Sequence, residues 1–400
     1  MNLFVINSGS SSIKYQLIQM PSETTLCSGL IERIGSDQSC ITHKRHIDNK
    51  IITSTETLAI NSHSDGLIAV TTLLTDPVIG VIKQPEDIDV VGHRVVHGGE
   101  QFSSTIAITQ AVKEKIKSLF PLAPLHNPAN YLGIEVAEEI FPSAKQIAVF
   151  DTAFHQTMPA VAYRFAIPNY YYTEYGIRAY GFHGTSHKYV SEKANDYLKI
   201  KGSKIISIHL GNGCSMSAVL DGKCIDTTMG LGPMNGLIMG TRAGDIDQSV
   251  IFYLVNELGY PMGEIHDVLN KKSGMLGLTG FSDMRDIKHQ YQSGSKDAIL
   301  AYEMYAYHIK KYIGAFTAVL GGLDAIVFTG GVGENDALTR SLATTALDNL
   351  GIQLDAQKNQ TTSKEILEIN QQDSRVKILV IPTNEELEIA KQCYQLAQVN

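Results

Sequence analysis

What the 400-residue chain lacks narrows its class before any motif is read. Its five cysteines (Cys27, Cys40, Cys214, Cys224 and Cys393) include no C-x-x-C pair, which excludes a disulfide framework or a zinc ribbon and points to a reducing compartment. No uninterrupted apolar stretch is long enough to cross a bilayer. The chain opens directly into a short apolar run, Leu3 to Ile6, too short and wrongly flanked for a secretory leader. The expectation is a soluble, cytoplasmic protein. There is no G-x-x-x-x-G-K-[ST], no G-x-G-x-x-G after a strand and no H-E-x-x-H. Those absences remove the P-loop, dinucleotide-binding and zinc-protease readings. A formal net charge of −8 argues against a surface built for nucleic acid or anionic lipid, and leaves room for a local basic pocket around a phosphate.

What is present describes an ordinary globular chain, 44% hydrophobic and 18% charged, with no disordered tract. Its length exceeds what one core usually fills, so two domains are expected. Short β-rich runs alternate with longer helical patterns, which is the signature of α/β architecture. Strands are expected at Leu3–Ile6, Lys14–Ile18, Ile88–Val91, Ile147–Phe150, Lys204–His209, Ala325–Phe328 and Val376–Ile381. Helices are expected at Pro128–Ile140, Ser186–Leu198, Gln248–Leu258, Ala298–Leu320 and Asn384–Gln398. One internal echo stands out. Phe4–Gln19 reads strand, small-residue turn, strand, and Ile206–Asp226 does the same before adding an Asp221-Gly222 hairpin signal. Turns use Gly and Ser anyway, but tips without bulky side chains also let backbone N–H groups converge on an anion.

Four Gly-rich segments, Asn7–Ser12, His209–Gly213, Gly230–Gly244 and Gly330–Asn335, could serve as phosphate or ligand loops. Three of them follow an apolar strand run, where α/β sites form. Other segments carry charge: GHRVVHGGE with Arg94, VFDTAFHQTMP with Asp151 at a strand end, YGFHGTSH with His183, and GTRAGDID with Arg242. Any one of these has a bland reading as a cap or surface group. Two arginines, a histidine and a carboxylate in Gly-rich surroundings together suit phosphoryl transfer.

These blocks, with LAPLHNP, HLGNGCS, SDMRD, FTGGVGEN and IPTNEEL, occur in the order found in acetate kinases, which the chain resembles along essentially its whole length. The resemblance implies two ribonuclease H-like, actin-like domains flanking a nucleotide cleft. The first domain would span 1–150 and be completed by the last helix at 386–400; the second, 151–385, would carry the nucleotide and the homodimer contact. It implies that Asn7 and Glu385 lie at a magnesium ion (manganese serving as an alternative), with Glu386 a substitute for Glu385, and that Lys14 lies near the ATP phosphates. His209, Leu210, Gly211, Asn212 and Gly213 would cradle those phosphates. Asp283, Met284, Arg285, Gly331, Val332, Gly333, Glu334 and Asn335 would hold the adenosine. Arg94 would bind the acceptor carboxylate, with Val96, Leu125, His126, Phe182 and Pro233 around it. Asp151, His183 and Arg242 would be catalytic. Ala243 and Gln248 stand where the family usually has Ser and Pro, which bears on the pose of the Arg242 loop.

The implied activity is reversible, direct in-line transfer of the ATP γ-phosphoryl group to acetate, giving acetyl phosphate and ADP, with no nucleic-acid or membrane partner. Carboxylic acids have a pKa of about 4, so acetate is already an anion at neutral pH and needs no general base. Asp151 is therefore read as an orienting group. The difficulty is bringing an anion to a triphosphate: two like charges about 4 Å apart repel by about 4 kcal/mol at an effective dielectric near 20. Arg94, Arg242, magnesium and a protonated His183 would offset that repulsion. The competing readings are a propionate or butyrate kinase, and an actin-like ATPase that lacks an acceptor.

Overall fold

A computed structural model describes residues 1–47 and 50–399. The chain divides into two compact units, one of residues 1–154 with 384–400 and one of His155–Thr383. Asp151 and Glu385, on the second-domain side of the boundaries expected from sequence, therefore belong to the first unit.

The first unit is built on an eight-stranded sheet in the order β5-β4-β3-β2-β1-β6-β8-β7. Its strands are β1 (Asn2–Ser8), β2 (Ser12–Gln19), β3 (Thr24–Glu32), β4 (Ser36–Ile47), β5 (Lys50–Ile60), β6 (Val90–Val95), β7 (Ile106–Ala107) and β8 (Lys145–Phe150). Strand β1 runs antiparallel to β2 and parallel to β6, which is parallel to β8. Side chains alternate across a strand, and β1 buries both faces. Phe4 and Ile6 pack with the helices His63–Leu74 and Asn127–Ile140, through Leu67, Val70 and Val136. Leu3 and Val5 pack with Ile389, Ala390 and Cys393 of the C-terminal helix Glu385–Val399.

The second unit carries a six-stranded sheet, order β11-β10-β9-β12-β14-β13. It comprises β9 (Lys204–Leu210), β10 (Cys214–Leu220), β11 (Lys223–Thr227), β12 (Ala325–Thr329), β13 (Leu367–Glu368) and β14 (Lys377–Val380). The antiparallel set β11-β10-β9 followed by parallel β12 and β14 repeats the β3-β2-β1-β6-β8 arrangement of the first unit. The strand–turn–strand echo thus extends to five strands in each unit, the ribonuclease H-like order that the resemblance implied. The Asp221-Gly222 turn joins β10 to β11 with both residues at positive φ, 49° and 77°, as a two-residue hairpin of primed type requires.

Two expectations need correction. The strand expected at Ile88–Val91 runs instead over Val90–Val95, so His93 and Arg94 are strand residues and not part of a following loop. Gly92 sits mid-strand because the C-terminal helix packs against it; a Cβ there would lie 2.8 Å from Cys393 Sγ. The β3–β5 meander was not expected at all. Strand β5 is exposed over most of its length, so its Ser, Thr, Lys and Glu residues show no buried face to read. No helix among the described residues is long and apolar enough to cross a membrane.

Candidate functional site

The candidate residues fall into two groups, one in each unit. In the first, Asn7 and Lys14 lie directly opposite one another on β1 and β2, and Arg94 lies near the end of β6. Arg94 donates to Asn7 Oδ1 at 3.2 Å and to the Asp151 carboxylate in a tight ion pair. Asp151 follows β8 directly, and its own N–H is fixed on the Val95 carbonyl at 3.0 Å. The Arg94 Nε–H is buried and has no hydrogen-bond partner among the described residues. A buried donor left unmet costs free energy, and a site that keeps one is suited to an anion.

Glu385, at the start of the C-terminal helix, has its pKa raised to about 7 by burial. Arg94 and Lys14 work against that rise, and the neighbouring Asp151 and Glu386 add to it. The same carboxylates hold Arg94 charged although burial opposes it. Lys14 Nζ meets Glu386 at 2.6 Å, so Glu386 is engaged by a cation while Glu385 faces the Arg94–Asp151 pair electrostatically. A cluster of carboxylates with the amide oxygen of Asn7 is a hard-oxygen environment that fits magnesium. No group of three or more His, Cys, Asp or Glu that could hold a metal occurs among the described residues.

The loop after β6 is held by two asparagines that sequence reading did not single out. Asn130 accepts from the Val96 N–H at 3.0 Å and donates to the Ser8 carbonyl at 2.6 Å. Asn127 forms a reciprocal pair with the His97 backbone at 3.0 Å. Both extend from the helix Asn127–Ile140, whose N-cap is His126. Val96 is 4% exposed, whereas Leu125 is 54% exposed.

In the second unit, the β9–β10 turn forms a wall of a cavity of about 680 Å³. Gly211 and Asn212 line it, with Ser282, Asp283, Met284, Arg285 and Lys288 on one side and Gly331, Val332, Asn335 and Asp336 on another. Asp283 caps the helix Met284–Gln292 and accepts two hydrogen bonds at Oδ2 from Arg285, which hold its carboxyl near 2. Gly333 and Glu334, expected at the adenosine, do not line the cavity. On the short helix Gly330–Asn335, Gly331, Val332 and Asn335 share a face, and the intervening residues turn away. Glu334 folds back to accept from the N–H groups of Gly330 at 3.0 Å and Thr383 at 3.1 Å. His209 and Leu210 are strand residues with buried side chains, and Gly211–Gly213 alone forms the turn, closed by Gly211 N–H to Gly213 O at 3.0 Å. Lys288, paired with Asp336 at 2.9 Å, was missed; its place one helical turn after Met284 was the available signal.

Gly213 also borders the second pair of candidates. A Cβ there would lie 3.4 Å from His183 Cε1 and 3.6 Å from Arg242 Nη1, so both side chains converge on this glycine. His183 is in the left-handed conformation, φ 57°, at the N-cap of the helix Gly184–Leu198. A strained cap at a non-glycine residue costs free energy and is typical of functional positions. Arg242 donates to the Pro233 carbonyl at 3.2 Å, and burial lowers its pKa, a penalty that a bound anion would offset. Gly274 closes the back of this loop at φ +60°, where a Cβ would sit 2.1 Å from the Met239 carbonyl. Ala243 donates to the Leu269 carbonyl at 3.1 Å through its backbone, and Gln248 is the first residue of its helix with Asp247 as the cap. Phe182 is buried and accepts from His155 at 3.0 Å through its carbonyl.

Because Arg285 is exposed and its side chain binds, among the described residues, only its own cap Asp283, its loss should cost little stability. Arg285→Ala is expected to raise the KM for nucleotide about ten-fold and leave that for the acceptor unchanged. Equal shifts in both constants would remove Arg285 from the nucleotide wall.

A profile of the acetokinase family matches residues 2–391. An acetate kinase of Flavobacterium johnsoniae is 61% identical over 398 residues, covering all of both chains. Among solved structures, Porphyromonas gingivalis acetate kinase superposes with a TM-score of 0.93 at 41% identity, covering 99% of each chain. A propionate kinase from Francisella tularensis superposes with a TM-score of 0.92 at 43% identity, covering 98% of this chain and 99% of its own.

Proposed function

The chain belongs to the acetokinase family, and we propose that it is an acetate kinase, transferring the ATP γ-phosphoryl group reversibly to acetate by direct in-line displacement. The observation that supports an acceptor site most is Arg94, a guanidinium holding Asp151 and Asn7 while its Nε–H finds no acceptor among the described residues. An ATPase without an acceptor has no use for such a group. The acetate carboxylate takes the guanidinium, and Asp151 fixes the guanidinium's pose; the acetate oxygen then attacks as the anion it already is. On the second unit, the 680 Å³ cavity takes the adenosine, the Gly211–Gly213 turn the phosphates, and His183 and Arg242 the charge that grows on the transferring phosphoryl group. Magnesium, when bound with the nucleotide near Asn7 and Glu385, would neutralise phosphate charge; Lys14 is the cation beside them. We further propose that the enzyme works as a cytoplasmic homodimer. ADP formation that requires added acetate tests the reading; turnover of ATP at the same rate without any carboxylate would overturn it.

The similarity to a propionate kinase makes acceptor size a specific question. Val96 is a stiff β-branched residue, buried and pinned through its N–H to Asn130. As part of the acetate methyl pocket it would exclude a longer acyl chain. Val96→Ala should improve propionate relative to acetate by roughly 1–3 kcal/mol in kcat/KM. A constant ratio combined with a lower melting temperature would assign Val96 to the core alone.

A further inference from the structure

Behind His183 lies a chain of buried hydroxyl and imidazole groups that the reaction scheme above does not use. Ser215 Oγ sits between two histidines, 2.9 Å from His183 Nδ1 and 2.7 Å from His187 Nε2. The other nitrogen of His187, Nδ1, is 2.8 Å from Ser207 Oγ. Ser207, Ser215 and His187 are completely buried. The order His183–Ser215–His187–Ser207 links the helix Gly184–Leu198 to adjacent strands β9 and β10.

Such a chain can carry its protons in either of two directions, and the far end decides between them. His187 is the only hydrogen-bond partner of the Ser207 hydroxyl among the described residues. The Ser207 proton is therefore satisfied only if it is donated to His187 Nδ1. His187 is neutral, because burial and then the neighbouring His155 and His209 lower its pKa well below the usual value. With Nδ1 accepting, a neutral His187 carries its proton on Nε2 and donates it to Ser215. The Ser215 hydroxyl then has one proton and one remaining partner, His183 Nδ1, which must accept.

We propose that Ser215, His187 and Ser207 are positioning residues that hold His183 as the neutral Nε2–H tautomer, with its N–H presented to the transferring phosphoryl group. The opposite ring nitrogen is the one that faces the turn: a Cβ on Gly213 would stand 3.5 Å from His183 Nε2 and 3.6 Å from Arg242 Nη1. The basic groups facing His183 also oppose a charged imidazolium. They include His209, stacked on it with ring centres 4.4 Å apart, Arg242 across Gly213, and His187 through Ser215. His183 would then act as a neutral hydrogen-bond donor, in place of the imidazolium favoured by the charge argument from sequence. A neutral imidazole N–H can polarise a developing oxyanion without a proton being lost or gained. Arg242 supplies the full charge. The proposal rests on the acetate kinase reading only for what His183 does, since the tautomer follows from the hydrogen bonds and the burial of His187.

Histidine-selective 15N spectra of the full chain, with His183 assigned by comparison with His183→Gln, read the tautomer without any activity. The expected result is a pyrrole-like Nε2 and a pyridine-like Nδ1 on His183 at neutral pH, shifting towards a mixture in Ser207→Ala. Ser215→Ala is expected to lower kcat by roughly a hundred-fold, with the KM for acetate and nucleotide within about two-fold of wild type. Ser215→Thr, which keeps the hydroxyl, should restore most of that loss. Ser207→Ala touches no ring that meets substrate, yet should move the acid limb of the kcat–pH profile upwards, since His183 can then accept a proton at Nδ1 with Ser215 reoriented. A purely structural role would change the melting temperature and leave that limb in place. A proton on His183 Nδ1 in the wild-type protein, or an imidazolium at neutral pH, would overturn the proposal. Failure of the wild-type protein to form an acyl phosphate would instead overturn the acetate kinase reading and leave the tautomer assignment to the spectra.

Discussion

Asp151→Asn is expected to lower kcat by roughly 10²- to 10⁴-fold while changing the KM for either substrate far less. The carboxylate is 1% exposed and bound to the Arg94 guanidinium, with its own backbone N–H fixed on Val95. Asparagine keeps the shape and removes the charge. Arg94 then loses the partner that orients it and that offsets the burial of its charge. Because the acceptor is already ionised at neutral pH, no proton has to be taken from it. The residual rate of the variant should therefore not recover at high pH, nor with formate or another small base. Rescue to near wild-type activity under those conditions would mean that Asp151 transfers a proton, and would replace the orienting role argued from its contact with Arg94.

Arg94→Ala is expected to raise the KM for acetate by about ten- to a hundred-fold, corresponding to the 1.5–3 kcal/mol of a hydrogen bond to a charged group. The KM for ATP should hardly move. The substitution also leaves Asp151, Glu385 and Glu386 without their shared guanidinium, which keeps the Glu385 pKa from rising further. Arg94→Lys separates the two effects. An ammonium restores much of the charge balance and cannot reproduce the planar fork, so stability should recover more than acetate affinity. Unchanged acetate kinetics in a folded Arg94→Ala protein would take Arg94 out of the acceptor site.

Much of the architecture was legible because it rests on short-range rules. The unbroken apolar run Leu3-Phe4-Val5-Ile6 marks a strand, and the structure buries each of its faces against helices. Asp221-Gly222 marked a tight hairpin, and the chain makes it with two positive φ angles. What escaped was set by partners distant in sequence. Gly92, His93 and Arg94 read as a loop because nothing in the local sequence reveals Cys393, the side chain that closes on Gly92. Lys14 and Glu386 are separated by nearly the whole chain and meet at 2.6 Å. Ser207 and Ser215 look like the small polar residues of any strand, and their role depends on the histidines buried beside them. Asn130 lies two residues beyond the LAPLHNP block, and only the fold shows it bracing Val96 and Ser8. Gly333 and Glu334 stand in the same run of letters as Gly331, Val332 and Asn335, but on a helix with about 3.6 residues per turn only the latter three share the face that lines the cavity.

The most direct test is to supply the purified chain with ATP and magnesium and to capture acyl phosphate as the hydroxamate, with acetate, propionate and butyrate offered side by side. Rapid formation is expected with acetate, a lower kcat/KM with propionate and a lower one again with butyrate, and none when the carboxylate is omitted. ADP release without any acyl phosphate, or a kcat/KM that favours propionate or butyrate over acetate, would contradict it.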